Sequence, residues 1–193
     1  MNKRSLTAGA LLLTLSILFT GCAGITHEPK VDMSSLKTIE KEDFFKALES
    51  INIEESDTDT MENTSFSFAG DSQDFEIEYN IDATSDNENQ YSYTKCVDEE
   101  TAKELFNYYY DNYDHIFDAK DFSGIKSYEV NDNTAYILID GRFDDKTSNT
   151  YTPYHDAIFL KGNTVIVAIA SDYDLSIEKE VNNFLDALGY PHP

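Results

Sequence analysis

The chain is poor in basic residues, cysteine and tryptophan. It holds 14 Lys and Arg against 37 Asp and Glu, which gives a formal net charge of −23, with two Cys and no Trp among 193 residues. This balance argues against nucleic acid as a partner, because a phosphate backbone is recognised by clustered Lys and Arg. Two cysteines are too few for a disulfide framework, so the fold must depend on its hydrophobic core. The length fits one such domain.

The sequence also lacks an apolar run of the roughly 20 residues that a membrane-spanning helix needs. The longest run covers residues 6–19, carries three polar residues, and follows Lys3 and Arg4. A basic start and a short apolar run that ends in small residues are typical of a secretory signal.

The segment Leu18-Phe19-Thr20-Gly21-Cys22 follows this run directly, and it resembles the lipobox of bacterial lipoproteins. The resemblance covers residues 1–22 and implies cleavage before Cys22 with a diacylglyceryl group on Cys22. The remainder resembles small envelope lipoproteins as a class. We therefore predict a signal peptide over 1–21, the lipidated Cys22 with a flexible tether over 22–37, and a single folded domain over 38–193. The predicted location is extracytoplasmic, with the lipid holding the protein on the cell membrane.

The lipid on Cys22 also has to supply the membrane affinity. Loss of residues 1–21 would remove Lys3 and Arg4 but no acidic residue, and would take the net charge from −23 to −25. Anionic headgroups repel such a domain, whereas acyl chains contribute about 0.8 kcal/mol per buried CH₂. Cys96 would then be the remaining cysteine, and we predict that it is a buried, inert thiol.

Helical hydrophobic spacing predicts three helices. The first covers residues 39–51 with Thr38 as its N-cap, and the second opens at the cap Asp98. The third carries apolar residues at helical spacing through Leu188 and is ended by Gly189. Alternating or continuous apolar runs predict strands at 66–68, 75–81, 91–97, 125–130, 135–140, 154–161 and 164–170.

The order of these elements defines the predicted fold class. It is α+β, with a six- to seven-stranded antiparallel sheet, about three helices packed on it, and the order α-βββ-α-ββββ-α. The apolar run 165–169 predicts a central strand covered on both faces. Polar composition predicts loops at 54–63 and 141–152. The layout loosely resembles the PsbP-like α-β-α sandwich, a likeness of element order that implies no function.

Catalytic and metal-binding motifs are weak in this sequence. Ser176 and Lys179 match the Ser-x-x-Lys nucleophile motif, but the Ser-Asp-Asn and Lys-Thr-Gly motifs that accompany it in penicillin-binding proteins and β-lactamases do not follow. His115 and His155 are predicted to be surface histidines beside acids. Three acidic segments offer oxygen ligands without the calcium-loop pattern: 57–59, 144–145 and 172–174. The sequence therefore indicates no catalytic residue, no metal ligand and no cofactor.

Aromatic residues give the remaining functional signal, with 13 Tyr and 12 Phe. Tyrosine offers apolar area with a polar tip, which suits a groove for a peptide or a glycan. The residues predicted to line such a groove lie on the second helix and in the strands and loop after it: Tyr108, Tyr110, Phe143, Tyr151 and Tyr154. Our first hypothesis is a non-catalytic domain that binds a ligand or protein at the cell surface. The alternative is a hydrolase of peptide or glycan that uses carboxylates of a sheet face, such as Glu76 and Glu78.

Overall fold

The fold is known from a computed structural model that describes residues 31–68, 72–145, 150–172 and 174–193. The predicted signal peptide and Cys22 lie outside these residues. Within these residues, three α-helices and seven strands make up the domain, in the predicted order. They are α1 (Lys41–Glu49), β1 (Thr58–Phe66), β2 (Phe75–Thr84), β3 (Gln90–Cys96), α2 (Glu99–Phe117), β4 (Phe122–Asn131), β5 (Thr134–Asp145), β6 (Thr150–Lys161), β7 (Thr164–Ile169) and α3 (Leu175–Leu188).

The strands form one antiparallel sheet in the order β1-β2-β3-β7-β6-β5-β4. Helices α1 and α3 pack on one face, and α2 covers the other, so the sheet separates two apolar cores. The predicted α+β class, element order and antiparallel sheet are confirmed. The apolar strand predicted at 165–169 is β7, which lies fourth of seven and is buried from Thr164 to Ala168.

Helix ends follow local capping chemistry, with one correction. The Asp98 carboxylate accepts from the Thr101 backbone N–H at 2.8 Å, as predicted for the start of α2. Gly189 ends α3 with φ 71°, the left-handed conformation that favours glycine. The prediction of Thr38 as N-cap is wrong, because α1 begins at Lys41 after Glu40, and Ile39 is buried in the core instead of opening the helix.

Two predicted loops are partly strand. Residues 58–63 belong to β1, and residues 141–145 and 150–152 extend β5 and β6. These segments are mostly exposed or half-buried, so their side chains carry no hydrophobic alternation, and they are held mainly by backbone pairing. A strand held by backbone pairing alone leaves little trace in a sequence pattern.

A β-bulge in β2 changes which face its residues occupy. Ile77 pairs with Cys96 and Tyr79 with Lys95, so Glu78 is an extra residue. Ile77 therefore lies in the α2 core, whereas Ile81 lies in the core beneath α1 and α3. The sequence of β2 alternates Ile77, Tyr79 and Ile81 with Glu76, Glu78 and Asn80, which would put Asn80 on the polar face. Because of the bulge, Asn80 is instead buried, and its side-chain oxygen accepts from Thr94 Oγ1 at 2.7 Å.

The chain ends of the domain meet on the face covered by α1 and α3. Leu36, which the sequence assigned to the tether, is buried in this core. The Tyr190 backbone N–H donates to the Leu185 carbonyl at 2.9 Å, and its hydroxyl donates to the Lys37 carbonyl at 2.8 Å. The packed domain therefore includes residues on the N-terminal side of Lys37. Among the described residues, no helix is long and apolar enough to cross a membrane.

Candidate functional site

The five aromatic residues predicted to line one groove are distributed over several places. Tyr108 stacks on Phe68 with ring centroids 4.2 Å apart, near the β1 and β2 side of α2. Tyr110 lies on the opposite flank of α2, with its ring centroid 4.8 Å from that of Tyr128 in β4. In the part of the chain that the structure describes, no ring contact joins any two of the five predicted residues.

The other three predicted residues belong to the β5–β6 region. Tyr154 lies between Tyr113 and Phe122, with ring centroids 6.2 and 6.3 Å away. Tyr151 is 59% exposed, and the Arg142 guanidinium lies 6.0 Å from its ring centroid. Phe143 is half-buried beside His115, which is exposed as predicted.

A group of exposed apolar side chains lies along β4 beside Tyr110. We call this surface the aromatic shelf and define it as Tyr110, Phe117, Tyr128 and Val130. The Phe117 ring centroid lies 5.7 Å from that of Tyr110 and 4.7 Å from that of Tyr128. Tyr128 is 47% exposed and Val130 is 53% exposed.

Local structure explains how the aromatic shelf forms. Tyr110 and Phe117 are seven residues apart on α2, so they occupy one helix face. Tyr128 and Val130 are two residues apart on β4, so they share one strand face, the face that α2 covers. Beside them lies a cavity of about 250 Å³, whose wall includes Asp114 and Asp118.

The charge around the aromatic shelf is negative. Lys126 also lines the cavity, but its Nζ donates to the carbonyls of Ile116 and Ala119 at 2.6 and 3.2 Å, so it caps the C-terminal end of α2. No salt bridge among the described residues involves Asp114 or Asp118. The hydrogen bond with Tyr128 raises the pKa of Tyr110 to about 12, and both carboxylates act in the same direction.

A second polar group, which the sequence analysis missed, lies around His155. This histidine is 4% exposed, so the prediction of a surface histidine is wrong. Its Nδ1 lies 3.1 Å from Asp140 Oδ1 in β5, and its Nε2 lies 3.0 Å from Asn182 Oδ1 in α3. Both partner atoms are oxygens as placed, so each ring nitrogen is positioned to donate a hydrogen bond, which favours the imidazolium form of His155. Strand parity was the available signal, because His155 alternates with the buried residues Ala157 and Phe159.

Protonation of His155 is favoured by these contacts. Burial acts to lower its pKa, but the hydrogen bonds with Asp140 and Asn182 outweigh burial and leave the pKa above the usual 6.5. With both nitrogens bound to protein acceptors inside the domain, the ring has no lone pair to accept a proton from a substrate. His155 therefore joins β6 to β5 and α3.

The neighbouring Asp156 points to the opposite face of the sheet. It is 3% exposed, and it accepts from the Tyr113 hydroxyl at 2.8 Å and from the Ala170 backbone N–H at 3.3 Å. Burial raises the pKa of Asp156 to about 7, although the Tyr113 hydrogen bond acts against this shift. A carboxyl with such a pKa is a feature of many acid–base sites, but this one is almost fully buried and enclosed by protein partners.

A third polar group fixes the β2–β3 turn to α3. The Glu180 carboxylate accepts from Asn89 Nδ2 at 3.0 Å and from the Tyr91 hydroxyl at 2.9 Å. Burial acts to raise the pKa of Glu180, but hydrogen bonds from four neighbours, Ser85, Asn87, Asn89 and Tyr91, lower it. A polar cavity of about 390 Å³ lies beside this carboxylate. Because Glu180 is saturated by protein donors, we interpret it as structural.

The predicted absence of a metal site stays a prediction. Within residues 31–68, 72–145, 150–172 and 174–193, no group of three or more His, Cys, Asp or Glu side chains is arranged to hold a metal ion. Tyr173, in the third acidic segment, lies outside the described residues. The Cys96 thiol is buried as predicted, and burial raises its pKa to about 12, so it is protonated and inert at neutral pH.

The fold and the aromatic shelf thus define a three-layer, acidic α+β domain with an apolar surface at one sheet edge. Comparison with known protein families, curated proteins and solved structures finds no match to this chain.

Proposed function

We propose that this protein is a cell-envelope lipoprotein whose folded domain binds another protein, without catalysis, at the outer face of the membrane. The observation that carries the proposal is the aromatic shelf, in which Tyr128 and Val130 of the edge strand β4 are about half exposed. Exposed apolar surface rimmed by polar groups marks sites of protein interaction. Tyrosine is among the residues enriched at protein interfaces. The lipobox-like segment ending at Cys22 supports the location.

The buried titratable groups support a binding role over a catalytic one. A general acid or base has to reach the substrate, whereas His155 and Asp156 are enclosed and engaged by protein partners. Their hydrogen bonds connect strands to helices on both faces of the sheet. We therefore assign both residues to the stability of the domain.

Site-directed crosslinking in intact cells tests the proposal. A photo-crosslinking amino acid replaces Tyr128 in the aromatic shelf, and the matched control replaces Met61, which is 36% exposed on β1 at the opposite sheet edge. We expect irradiation to give a discrete crosslinked species with a second protein at position 128, identified by mass spectrometry, and none at position 61. Equal crosslinking at both positions, or none at position 128, would show that the aromatic shelf is not a binding surface.

A hydrolase of peptide or glycan is the second candidate, and one cleft favours it. Glu40, Glu62 and Glu78 contribute carboxylates to a cavity of about 340 Å³ that Tyr79 also lines. Lys95 Nζ lies 3.1 Å from Glu78 and competes with a catalytic role for this carboxylate. Turnover of peptidoglycan fragments or peptides that is abolished by Glu62→Gln, with the fold retained, would favour the hydrolase over the binding protein.

A further inference from the structure

The two edges of the sheet differ in how they present their backbones. β1 is polar and almost wholly exposed, and Asn63 interrupts it with a left-handed φ of 48°. β4 runs for ten residues in unbroken register with β5, without a bulge. No described strand pairs with its other side. Irregularity and charge are the usual protection of an edge strand against pairing. β4 also carries charges, at Lys126 and Glu129, but among the described edge strands only β1 is interrupted in its pairing, so β4 is the edge better able to receive another strand.

The side chains on and beside β4 indicate which charge an added strand should carry. Tyr128 and Val130 offer apolar area on one strand face, and Asp114 and Asp118 lie beside Tyr110 and Phe117. On the other strand face, Glu129 is exposed. Aromatic faces and carboxylates together favour Lys and Arg, through cation–π contacts and ion pairs.

We infer that β4 receives an extended, basic segment of a partner protein as an eighth strand of the sheet, with the partner's Lys or Arg side chains over the aromatic shelf. This inference rests on the proposed function and names the chemistry of the partner. Main-chain hydrogen bonds to β4 hold the segment, and alternate side chains contact the aromatic shelf. The added strand pairs with β4 along its whole length, as β5 does on the other side of β4.

A second copy of this chain is the less suitable occupant of the same edge. Two copies would each bring a net charge of −23, and a symmetric contact would place Asp114 and Asp118 of one copy near the same residues of the other. Like charges at an interface oppose association. Asp114 and Asp118 would instead attract a basic segment at this edge.

Peptide binding to the full-length protein, extracted from the membrane in non-ionic detergent, tests the inference. One probe is a ten-residue peptide, matched to the length of β4, in which Lys alternates with Val. Its acidic counterpart carries Glu in place of each Lys. We expect fluorescence anisotropy to give binding of the Lys peptide that weakens with added salt. Binding of the Glu peptide should be at least about tenfold weaker.

Two further peptides separate strand addition from general charge attraction. Each keeps the Lys-Val sequence but carries backbone N-methyl groups at alternate residues, at odd positions in one and at even positions in the other. Only one edge of an added strand bonds to β4, so we expect one of the two peptides to lose binding and the other to keep it. Hydrogen exchange should slow in residues 122–131 when the unmodified Lys peptide is bound.

Matched variants locate the site. Tyr128→Ser, and Asp114→Asn combined with Asp118→Asn, should each weaken binding of the Lys peptide about five- to tenfold. The controls make the same kinds of change at the other edge, Met61→Ser and Asp59→Asn combined with Asp57→Asn, and should leave binding unchanged. Circular dichroism confirms that each variant is folded.

Each other outcome overturns the inference in a recognisable way. Equal binding of both N-methylated peptides, or equal loss in the β1 variants, would mean charge attraction without strand addition. A dimer in light scattering that Tyr128→Ser dissociates would make a second copy the occupant. No binding of the Lys peptide, together with a crosslinked partner at position 128, would leave the proposed binding function intact and show that the partner is not a basic strand.

Discussion

At the scale of single residues, His155 and Asp156 differ in their surroundings although they are adjacent in sequence. They extend from opposite faces of β6, one towards α3 and the other towards α2. A sequence can give their relative orientation from strand alternation. It cannot give the partners Asp140 and Asn182, because these depend on strand register and on where α3 crosses the sheet. The hydrogen-bonding network was therefore outside the reach of sequence reasoning.

Replacement of His155 tests the role of this network in stability. His155→Gln removes the charged ring, and the shorter amide cannot donate to both Asp140 and Asn182 as the ring does. We expect the free energy of unfolding to fall by about 1–3 kcal/mol at about pH 5.5. Urea titration followed by circular dichroism measures it. His115→Gln is the matched control, because His115 is exposed, and it should change stability by less than about 0.5 kcal/mol.

The raised pKa of His155 also predicts how the stability difference between wild type and His155→Gln changes with pH. The pKa of His155 is higher in the folded protein than its usual 6.5, so its stabilising contribution is complete below that value and is lost as pH rises through the folded-state pKa. The gap between wild type and His155→Gln should therefore narrow between about pH 5.5 and about pH 8.5. Asp140, Asn182 and Glu178 face this group in both proteins, and the Asp156 carboxyl interacts with it electrostatically from the opposite face of the sheet. A gap that widens with pH would show that His155 is buried in its neutral form.

At the scale of elements, the strongly periodic segments were predictable and the backbone-paired ones were not. α3 and β7 bury apolar residues in regular patterns, so their sequences specify them. β1 buries almost nothing and derives its conformation from β2. The alternation of apolar and polar residues in the β2 sequence continues through the bulge at Glu78. In the sheet, however, the residues after Glu78 point to the opposite face from the one that this alternation predicts. Pairing with β3 decides that register, and pairing is a property of two segments together.

Strands β4 and β5 approach each other closely at a pair of glycines, which gives a prediction at this scale. Gly124 faces Gly141 across the ladder, and Gly141 has φ 156°. A Cβ on Gly141 would lie 2.4 Å from the Ser123 carbonyl oxygen and 2.8 Å from the Gly124 Cα. We expect Gly141→Ala to lower the free energy of unfolding by about 2–4 kcal/mol through strain and overpacking.

Gly162→Ala is the control that separates crowding from conformational strain. Gly162 also has a positive φ of 61°, but no atom lies within 4 Å of a Cβ placed there. Its substitution should therefore cost only about 1–2 kcal/mol. Denaturant titration of both variants gives the comparison. An equal loss in the two would show that β4 and β5 separate easily, contrary to the contact between the glycines.

At the scale of the whole molecule, the lipid proposed on Cys22 has to hold a strongly acidic domain at a membrane. Cys22→Ala removes the attachment site without changing the folded part. We expect the variant to leave the membrane fraction for the soluble fraction, since charge gives the domain no affinity for anionic lipid. Metabolic labelling with an alkyne fatty acid, followed by fractionation and blotting, measures both lipidation and location.

Cys96→Ala is the matched control for the anchor. Cys96 is buried in the α2 core, so this variant should keep both its lipid label and its membrane location. Retention of Cys22→Ala in the membrane fraction would mean that another part of the chain supplies the affinity. Labelling of Cys22→Ala would place the lipid elsewhere.

The candidate site was only partly predictable at this scale. Tyrosine on α2 was recognised as an exposed aromatic signal, and Tyr110 is part of the aromatic shelf. Phe117, Tyr128 and Val130 were missed, because the aromatic shelf forms only when β4 takes the sheet edge beside α2. Within the strand order β3-β7-β6-β5-β4, the consecutive strands pair locally, and only the β3–β7 pairing joins distant segments. This one long-range pairing leaves no local periodicity, and it places β4 at the free edge.

The central place of β7 has a consequence for a chain that emerges from its N-terminus. β7 is the last strand made, yet it joins the β1–β3 half of the sheet to the β4–β6 half. Tyr190, which follows α3, then closes the core against Lys37. The native sheet is therefore incomplete until β7 has emerged, and long-range pairing of this kind forms slowly. If the chain is exported as proposed, it stays unfolded enough to pass through a narrow translocation pore until β7 has emerged from it.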